Sequence, residues 1–323
     1  MDTDWGVAAV LREHTAPVNS MDFSADGELL VTAANDDRVC IYSSHSASLQ
    51  RTVRCGQYGA ANVRFTHDPL SVLCASTRGK HDAIRYLSLH GNRYLRYFEG
   101  HASRVTSLQL SPKDDTFASA AADGTARFWD LRTAACQGVL RLGSKCARPA
   151  VAFDPQGLVF TAAGGDGKIY LYDARKYQGG PFDTFAAVFD SQRDISTLKF
   201  NRDGKVMLVA TTRGEVLTLD AFKGGVIGRF SGHSNATNTP IEAELSADGA
   251  QVLSGSEDST VWRWDEAAAT PLAPLRAHTG AVTVLRHNPT RRLLASAGAD
   301  GCVCLWLPAP NGAEQMQQAT GGG

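Results

Sequence analysis

The feature that most limits what this chain can fold into is a length that recurs. Residues 114–138 read DDTFASAAADGTARFWDLRTAACQG, an alternating stretch with an Asp-Gly turn in its middle and a Trp-Asp pair a few positions later. A single such turn would be ordinary hairpin chemistry. Aligned on the aromatic or aliphatic residue that closes the motif, however, the chain offers Tyr42, Leu87, Trp129, Tyr172, Leu219, Trp264 and Trp306, separated by 45, 42, 43, 47, 45 and 42 residues. Seven units of one size follow. Each holds about four short alternating segments broken by turns; in the third they are VTSLQLS, TFASAA, TARFWDL and QGVLRL. The apolar residues recur at period two and Gly-containing turns are frequent, which excludes helices of useful length.

Four strands per unit at this period predict an all-β, seven-bladed β-propeller of WD40 type. The opening Asp then has a role. In the third unit His101, Ser119, Asp123 and Trp129 occupy positions from which a buried carboxylate can be paired: His101 links Asp123 to the Ser119 hydroxyl, which meets the Trp129 indole N–H. The His-to-Asp spacing of 22 and the Asp-to-Trp spacing of 6 return in His278, Ser296, Asp300 and Trp306. The sixth unit offers His233, Ser254, Asp258 and Trp264, with three extra residues in the loop HSNATNTP. The first offers His14, Thr32, Asp36 and Tyr42, a Tyr ending the series. Unit four keeps Asp166 and Tyr172 without the His, and units two and five lack the tetrad, so packing and ladder hydrogen bonds must hold them.

A propeller must also close. The seventh unit runs out after its third strand, and Pro308 and Pro310 block a fourth, so the missing outer strand is expected from GVAAVLR at residues 6–12. The expected organisation is a closing strand within residues 1–13, a propeller over 14–308 and a flexible tail over 309–323.

Composition narrows the function classes. Lys plus Arg number 32 and Asp plus Glu 33, and a net charge of -1 argues against a general nucleic-acid or membrane binder. No apolar run approaches the roughly 20 residues that span a bilayer, so a soluble protein is expected. The start MDTDWGVAAVLREH lacks the basic and apolar regions of an export signal. Seven irregularly spaced cysteines suit reduced thiols in cytosol or nucleus.

Segments between the motifs carry a narrower likeness. DAIRYLSLHGNRYLRYFEGHASRV at 82–105, PKDDTFASAAADGTARFWDLRTAACQG at 112–138, IYLYDARKYQGGPFDTF at 169–185 and LDAFKG at 219–224 resemble the WD repeat-containing protein eighty-two family, with its yeast counterpart in the Set-type methyltransferase complex. The resemblance runs from about residue 14 to 308. It implies a nuclear, non-enzymatic scaffold, monomeric within a hetero-complex, with no cofactor and no sequence-specific nucleic-acid binding. The implied partners are a SET-domain methyltransferase acting on histone H3 lysine four, a protein phosphatase one targeting subunit in a transcription-termination and polyadenylation assembly, and the phosphorylated C-terminal domain of RNA polymerase II. Alanine in place of larger residues, the short N-terminal arm and the distinctive tail mark a divergent lineage, in which the phosphatase role is placed slightly ahead.

A partner surface is expected on the face formed by the loops before the first strand and after the second strand of each unit. Those loops carry Arg38, Arg78, Lys80, Arg104, Lys145, Arg148, Lys168, Arg193 and Arg213, all in units one to five; the turns SEDST and GADGC of units six and seven add no cation. Such an arc suits an acidic or phosphorylated peptide. The plainer reading is of solvated charges balanced by Asp37, Asp82 and Asp194. On the opposite face Arg132 in WDLR and Arg175 in YDAR resemble the WDxR element of cullin-type ubiquitin ligase receptors, an alternative function. GGDGK at 164–168 reads as a turn, Cys302 and Cys304 as structural thiols without a second ligand pair for zinc, and Asn235-Ala-Thr237 as a bare glycosylation match. The motif histidines belong to the tetrads, and no convergent carboxylates, metal ligands or catalytic residues assemble from the sequence.

Overall fold

A computed structural model of the protein describes residues 5–78, 83–142, 147–185 and 194–308. Among the described residues, alternating apolar and polar positions produce 28 strands in seven four-stranded antiparallel sheets, each blade built from strands consecutive in sequence except the last. Blade three follows its segments closely, with strands Val105–Leu110, Thr116–Ala121, Thr125–Asp130 and Gly138–Arg141. Helix is almost absent, a single 3-10 turn at Tyr177–Gly179 being the exception among the described residues.

The core lies between blades rather than within them, because each sheet is apolar on both faces. One cluster joins Met21, Leu30 and Tyr42 of blade one to Ala295, Val303 and Leu305 of blade seven. Another joins Leu73 and Phe98 of blade two to Phe117 and Trp129 of blade three. A third couples Ile169 and Phe185 to Met207 and Leu217. Where a unit lacks the terminal aromatic residue, Leu87 and Leu219 fill the place and are just as buried.

Ring closure uses the first described strand. Trp5–Leu11 pairs antiparallel with Val303–Pro308, running from Trp5 opposite Pro308 to Leu11 opposite Val303, so the strand begins one residue before the expected span. This pairing covers the edge of the last blade. On the other side of the seam Asn288 donates from Nδ2 to the Gly27 carbonyl at 2.8 Å, and Thr290 donates to the Asp26 carbonyl at 3.0 Å. Gly27 has φ of 73°, and a Cβ there would strike Thr290 and Asn288, so both backbone conformation and close approach require glycine. The expected tail over 309–323 lies outside the described residues.

The innermost strands carry a recurring irregularity. The register shifts between Val18 and Ser20, Ala61 and Arg64, Val105 and Ser107, Ile195 and Thr197, and Val282 and Val284. A bulge of this kind re-aims a side chain. Asn19, Asn62 and Thr106 use it to reach the neighbouring blade, donating to the carbonyls of Ala60 (3.0 Å), Val105 (2.9 Å) and Pro149 (2.7 Å).

Candidate docking face and central channel

The tetrads are built from loop, second strand, turn and third strand, brought together because those elements adjoin within each blade. In blade three His101 Nδ1 lies 3.0 Å from Asp123 Oδ2 and its Nε2 lies 2.8 Å from Ser119 Oγ, which accepts from Trp129 Nε1 at 2.9 Å. The Ala102 amide donates to the same carboxylate at 2.9 Å. One proton arrangement satisfies every group: indole to hydroxyl, hydroxyl to Nε2, Nδ1–H to carboxylate, with a neutral imidazole. Blade seven repeats it, with His278 2.9 Å from Asp300 and 2.7 Å from Ser296, and Trp306 donating to Ser296 at 2.8 Å.

Two of the four expected tetrads differ. In blade one His14 joins Asp36 (3.2 Å) and Thr32 (2.8 Å), but the buried Tyr42 hydroxyl sits near Thr32 and Cys40 without a hydrogen bond of good geometry to either. The phenol of Tyr42 substitutes for the indole in packing and not in wiring. Blade six departs further. Trp264 donates to the Ser231 carbonyl at 3.2 Å, Ser254 to the Gly255 carbonyl at 3.0 Å, and His233 Nδ1 is buried without a partner. The three extra loop residues are the cause. They carry the amides of Ala236 and Thr237 to Glu257 at 2.7 and 3.1 Å, so Glu257 takes the capping role, while Asp258 accepts from the Trp262 indole at 2.9 Å.

Charges follow from these contacts. Burial holds His14 and His233 below the usual imidazole range, outweighing the pull of Asp36 and Asp258. Asp36, Asp123 and Asp300 sit below the usual carboxylate range: burial pushes the other way, and amide, hydroxyl and imidazole donors prevail.

The basic arc is only partly assembled. Lys80, Lys145 and Arg193 lie outside the described residues, as does Asp82. Arg38 Nε is 4.0 Å from Asp36, and Arg78 pairs with Asp37 at 2.8 Å, so these two are balanced locally. Lys168 and Arg213 stand on turns of blades four and five, and no ion pair of theirs occurs among the described residues. Arg104 and Arg148 are brought together, lining one cavity of about 350 Å³ at the mouth of the central channel. On the opposite face Arg132 and Arg175 are exposed and fold back on Asp130 (2.6 Å) and Asp173 (3.1 Å). Cys302 and Cys304 are free thiols, and burial pushes Cys304 up to about 12.

Sequence reasoning missed the channel wall. Contrary to the expectation that no carboxylates converge, Asp22, Glu242 and Glu244 do so, and Arg64, Lys199 and Arg286 face them. Arg286 reaches Glu242 at 2.5 Å and Asp22 at 3.8 Å, and Lys199 reaches Glu244 at 2.6 Å. Three cations and three anions balance, linking blades five, six, seven, one and two across the closure seam. Burial lowers Arg64 to about 10, with repulsion from Arg286 adding to it. Burial also lowers Lys199 and raises Asp22. Against burial, Arg286 and Lys199 hold Glu242 down, and Glu242 and Glu244 hold Arg286 up. Carboxylates neutralised in this way make a belt, not a metal site; no group of three metal-ligating side chains occurs among the described residues. A signal existed: Asp22, Arg64, Gln109, Lys199, Glu244 and Arg286 each stand next to last in the innermost strand or one residue from its end, before Phe, Leu or His.

Comparison with known proteins fits this geometry. The family model described as WD domain, G-beta repeat matches residues 5–43, 92–130, 224–265 and 269–306. WD repeat-containing protein 82 of Drosophila melanogaster is 40% identical over 303 residues, covering 94% of each chain. The chain belongs to the WD repeat-containing protein 82 family. Two further relatives are the Set1 complex component swd2 of Schizosaccharomyces pombe, 37% identical over 215 residues (66% of this chain, 59% of that one), and the COMPASS component SWD2 of Saccharomyces cerevisiae, 31% identical over 285 residues (86% and 85%). The residues matched to the family model include the tetrad positions of blades one, three, six and seven, and they leave blade four and most of blades two and five to the wider likeness with the WD repeat-containing protein 82 family.

Proposed function

We propose that this protein is a non-enzymatic WD40 scaffold subunit of a nuclear, chromatin-associated transcription complex. The observation that carries the reading is 40% identity across 94% of the chain to WD repeat-containing protein 82, together with relatives named as Set1 complex and COMPASS components. The assembly is a histone H3 lysine-four methyltransferase complex, and a protein phosphatase one termination assembly is the second partner set. The polar residues inside the ring support a scaffold role: the tetrads brace single blades and the channel belt joins neighbouring ones, leaving loops as the docking elements.

The docking face is the one bearing Arg104, Arg148, Lys168 and Arg213, which suits an acidic or phosphorylated segment such as the C-terminal domain of RNA polymerase II. The test is affinity purification of tagged protein from nuclear extract, comparing the native chain with an Arg104→Glu/Arg213→Glu variant and an Arg132→Ala/Arg175→Ala variant. The reading expects a SET-domain methyltransferase or a phosphatase with its targeting subunit, depleted by the first variant. Recovery of a cullin-ligase adaptor, lost in the second variant, would replace it with the ubiquitin-ligase reading.

A further inference from the structure

We infer that a cavity between blades one and two, among the turns after their first and third strands, is a docking pocket for an aromatic or large aliphatic side chain carried on an acidic segment of a partner protein. It lies on the face that bears Arg132 and Arg175, and the inference holds whether or not the face of Arg104 and Arg213 docks a partner.

The first observation is a ring present at one blade junction and missing at another. In blade three Phe128, next to the closing Trp129, pairs in register with Gly138, and a Cβ at Gly138 would strike Tyr177. The bare glycine lets Tyr177, from the turn after the third strand of blade four, stack on Phe128 with ring centroids 4.5 Å apart. In blade one Ile41, next to the closing Tyr42, pairs in the same register with Arg51. Arg51 takes the place of that glycine, and its guanidinium crosses to the carbonyls of Leu89 and His90 in blade two, the latter at 2.6 Å. The blade-two turn offers His90, Gly91 and Asn92 and no tyrosine. Ile41 therefore lines a cavity of about 450 Å³ with Leu29, Pro69, Leu70 and Leu89, a volume that admits a ring from outside.

The second observation is how Leu70 is held. Asp68 Oδ1 accepts from the Leu70 amide at 2.9 Å, and the Leu70 carbonyl accepts from the Leu89 amide at 2.8 Å. Both bonds fix the backbone while the side chain stays 49% exposed at the cavity edge. The third is charge. Arg51 lines the cavity and Arg93 follows the turn, and neither makes an ion pair among the described residues. The carboxylates beside them are engaged: Glu28 accepts from Arg291 at 2.5 Å, and Asp68 caps the Leu70 amide. An apolar wall with uncompensated cations at its rim complements a segment that sets a large apolar side chain beside Asp or Glu.

The test selects short random peptides displayed on phage against the full-length protein and titrates the enriched sequences by fluorescence anisotropy. Leu70→Gln removes apolar surface from an exposed position, and His90→Tyr offers the cavity a ring of its own. Leu158→Gln is the control, because Leu158 holds the same place in blade four, its carbonyl accepting from the Ala174 amide at 2.9 Å. The inference expects enriched peptides that set Phe, Trp, Tyr or Leu beside Asp or Glu. Their affinity should fall about fivefold or more in Leu70→Gln and in His90→Tyr, and hold in Leu158→Gln. It should also fall when the peptide's Asp or Glu becomes Asn or Gln. If His90→Tyr does not fold, Leu70→Gln decides alone. Absence of enrichment, enriched peptides that are neutral or basic, affinity insensitive to Leu70→Gln, or an equal loss in Leu158→Gln overturns the inference. Self-association of the native chain that Leu70→Gln abolishes also overturns it, giving the cavity to a second copy of this chain.

Discussion

Replacing Ser119 by Ala isolates the energetic meaning of the tetrad. The hydroxyl is wholly buried, accepts from Trp129 Nε1 at 2.9 Å and meets His101 Nε2 at 2.8 Å. Removing it leaves an indole N–H and an imidazole nitrogen without partners in a buried site. At about 1–3 kcal/mol for each buried group left unsatisfied, less what relaxation recovers, the expected loss is about 2–4 kcal/mol. Ser254→Ala is the matched comparison. It has the same place in its repeat and is as buried, but its hydroxyl bonds only to the adjacent Gly255 carbonyl at 3.0 Å, so the expected loss is about 1 kcal/mol or less. Urea unfolding followed by tryptophan fluorescence reads both, provided the slope is unchanged between variants. Ser119→Ala should lower the midpoint clearly, Ser296→Ala should match it, and Ser254→Ala should barely move it. Equal losses at Ser119 and Ser254 would refute the claim that wiring, and not the residue type, sets the energy.

Arg286→Ala should cost about 3–5 kcal/mol by leaving Glu242 and Asp22 buried without their cation, whereas Arg286→Met with Glu242→Gln should cost much less; the same urea titration separates them. Because burial depresses His14 and His233 in the folded state, the unfolded chain takes up protons first. Stability should therefore be full above about pH 6.5 and fall as the pH drops below it, a trend that urea midpoints at pH 7.5, 6.5 and 5.5 will show or contradict. Deleting residues 1–11 uncovers the edge strand Val303–Pro308 and should turn a monomer on gel filtration into aggregates; a monodisperse, unchanged peak would mean that closure does not depend on the first strand.

The ring was legible in the sequence because its cause is periodic: one strand pattern, returning every 42–47 residues, leaves few architectures. Tetrads three and seven were legible for the same reason, since residue types and loop length both repeat. Tetrad six was misread because its residue types repeat while its loop does not, and three residues suffice to deliver different amides to a different carboxylate. Tyr42 was misread because an aromatic ring can keep a packing role after losing a donor's reach. The channel belt was hidden for another reason. A charged residue in an alternating strand looks solvent-facing, and only closure turns that face inward and sets Asp22 beside Arg286, distant in sequence. The cavity at the mouth depends on bulges, which shift register without leaving a composition signal.

The claim on which the account turns is that this ring works by holding other proteins. Native mass spectrometry of the complex purified from nuclei under gentle conditions tests it most directly. The account predicts one copy of this chain in a stable assembly with a SET-domain methyltransferase or a phosphatase targeting subunit. A free 34.5 kDa monomer as the sole species would contradict it.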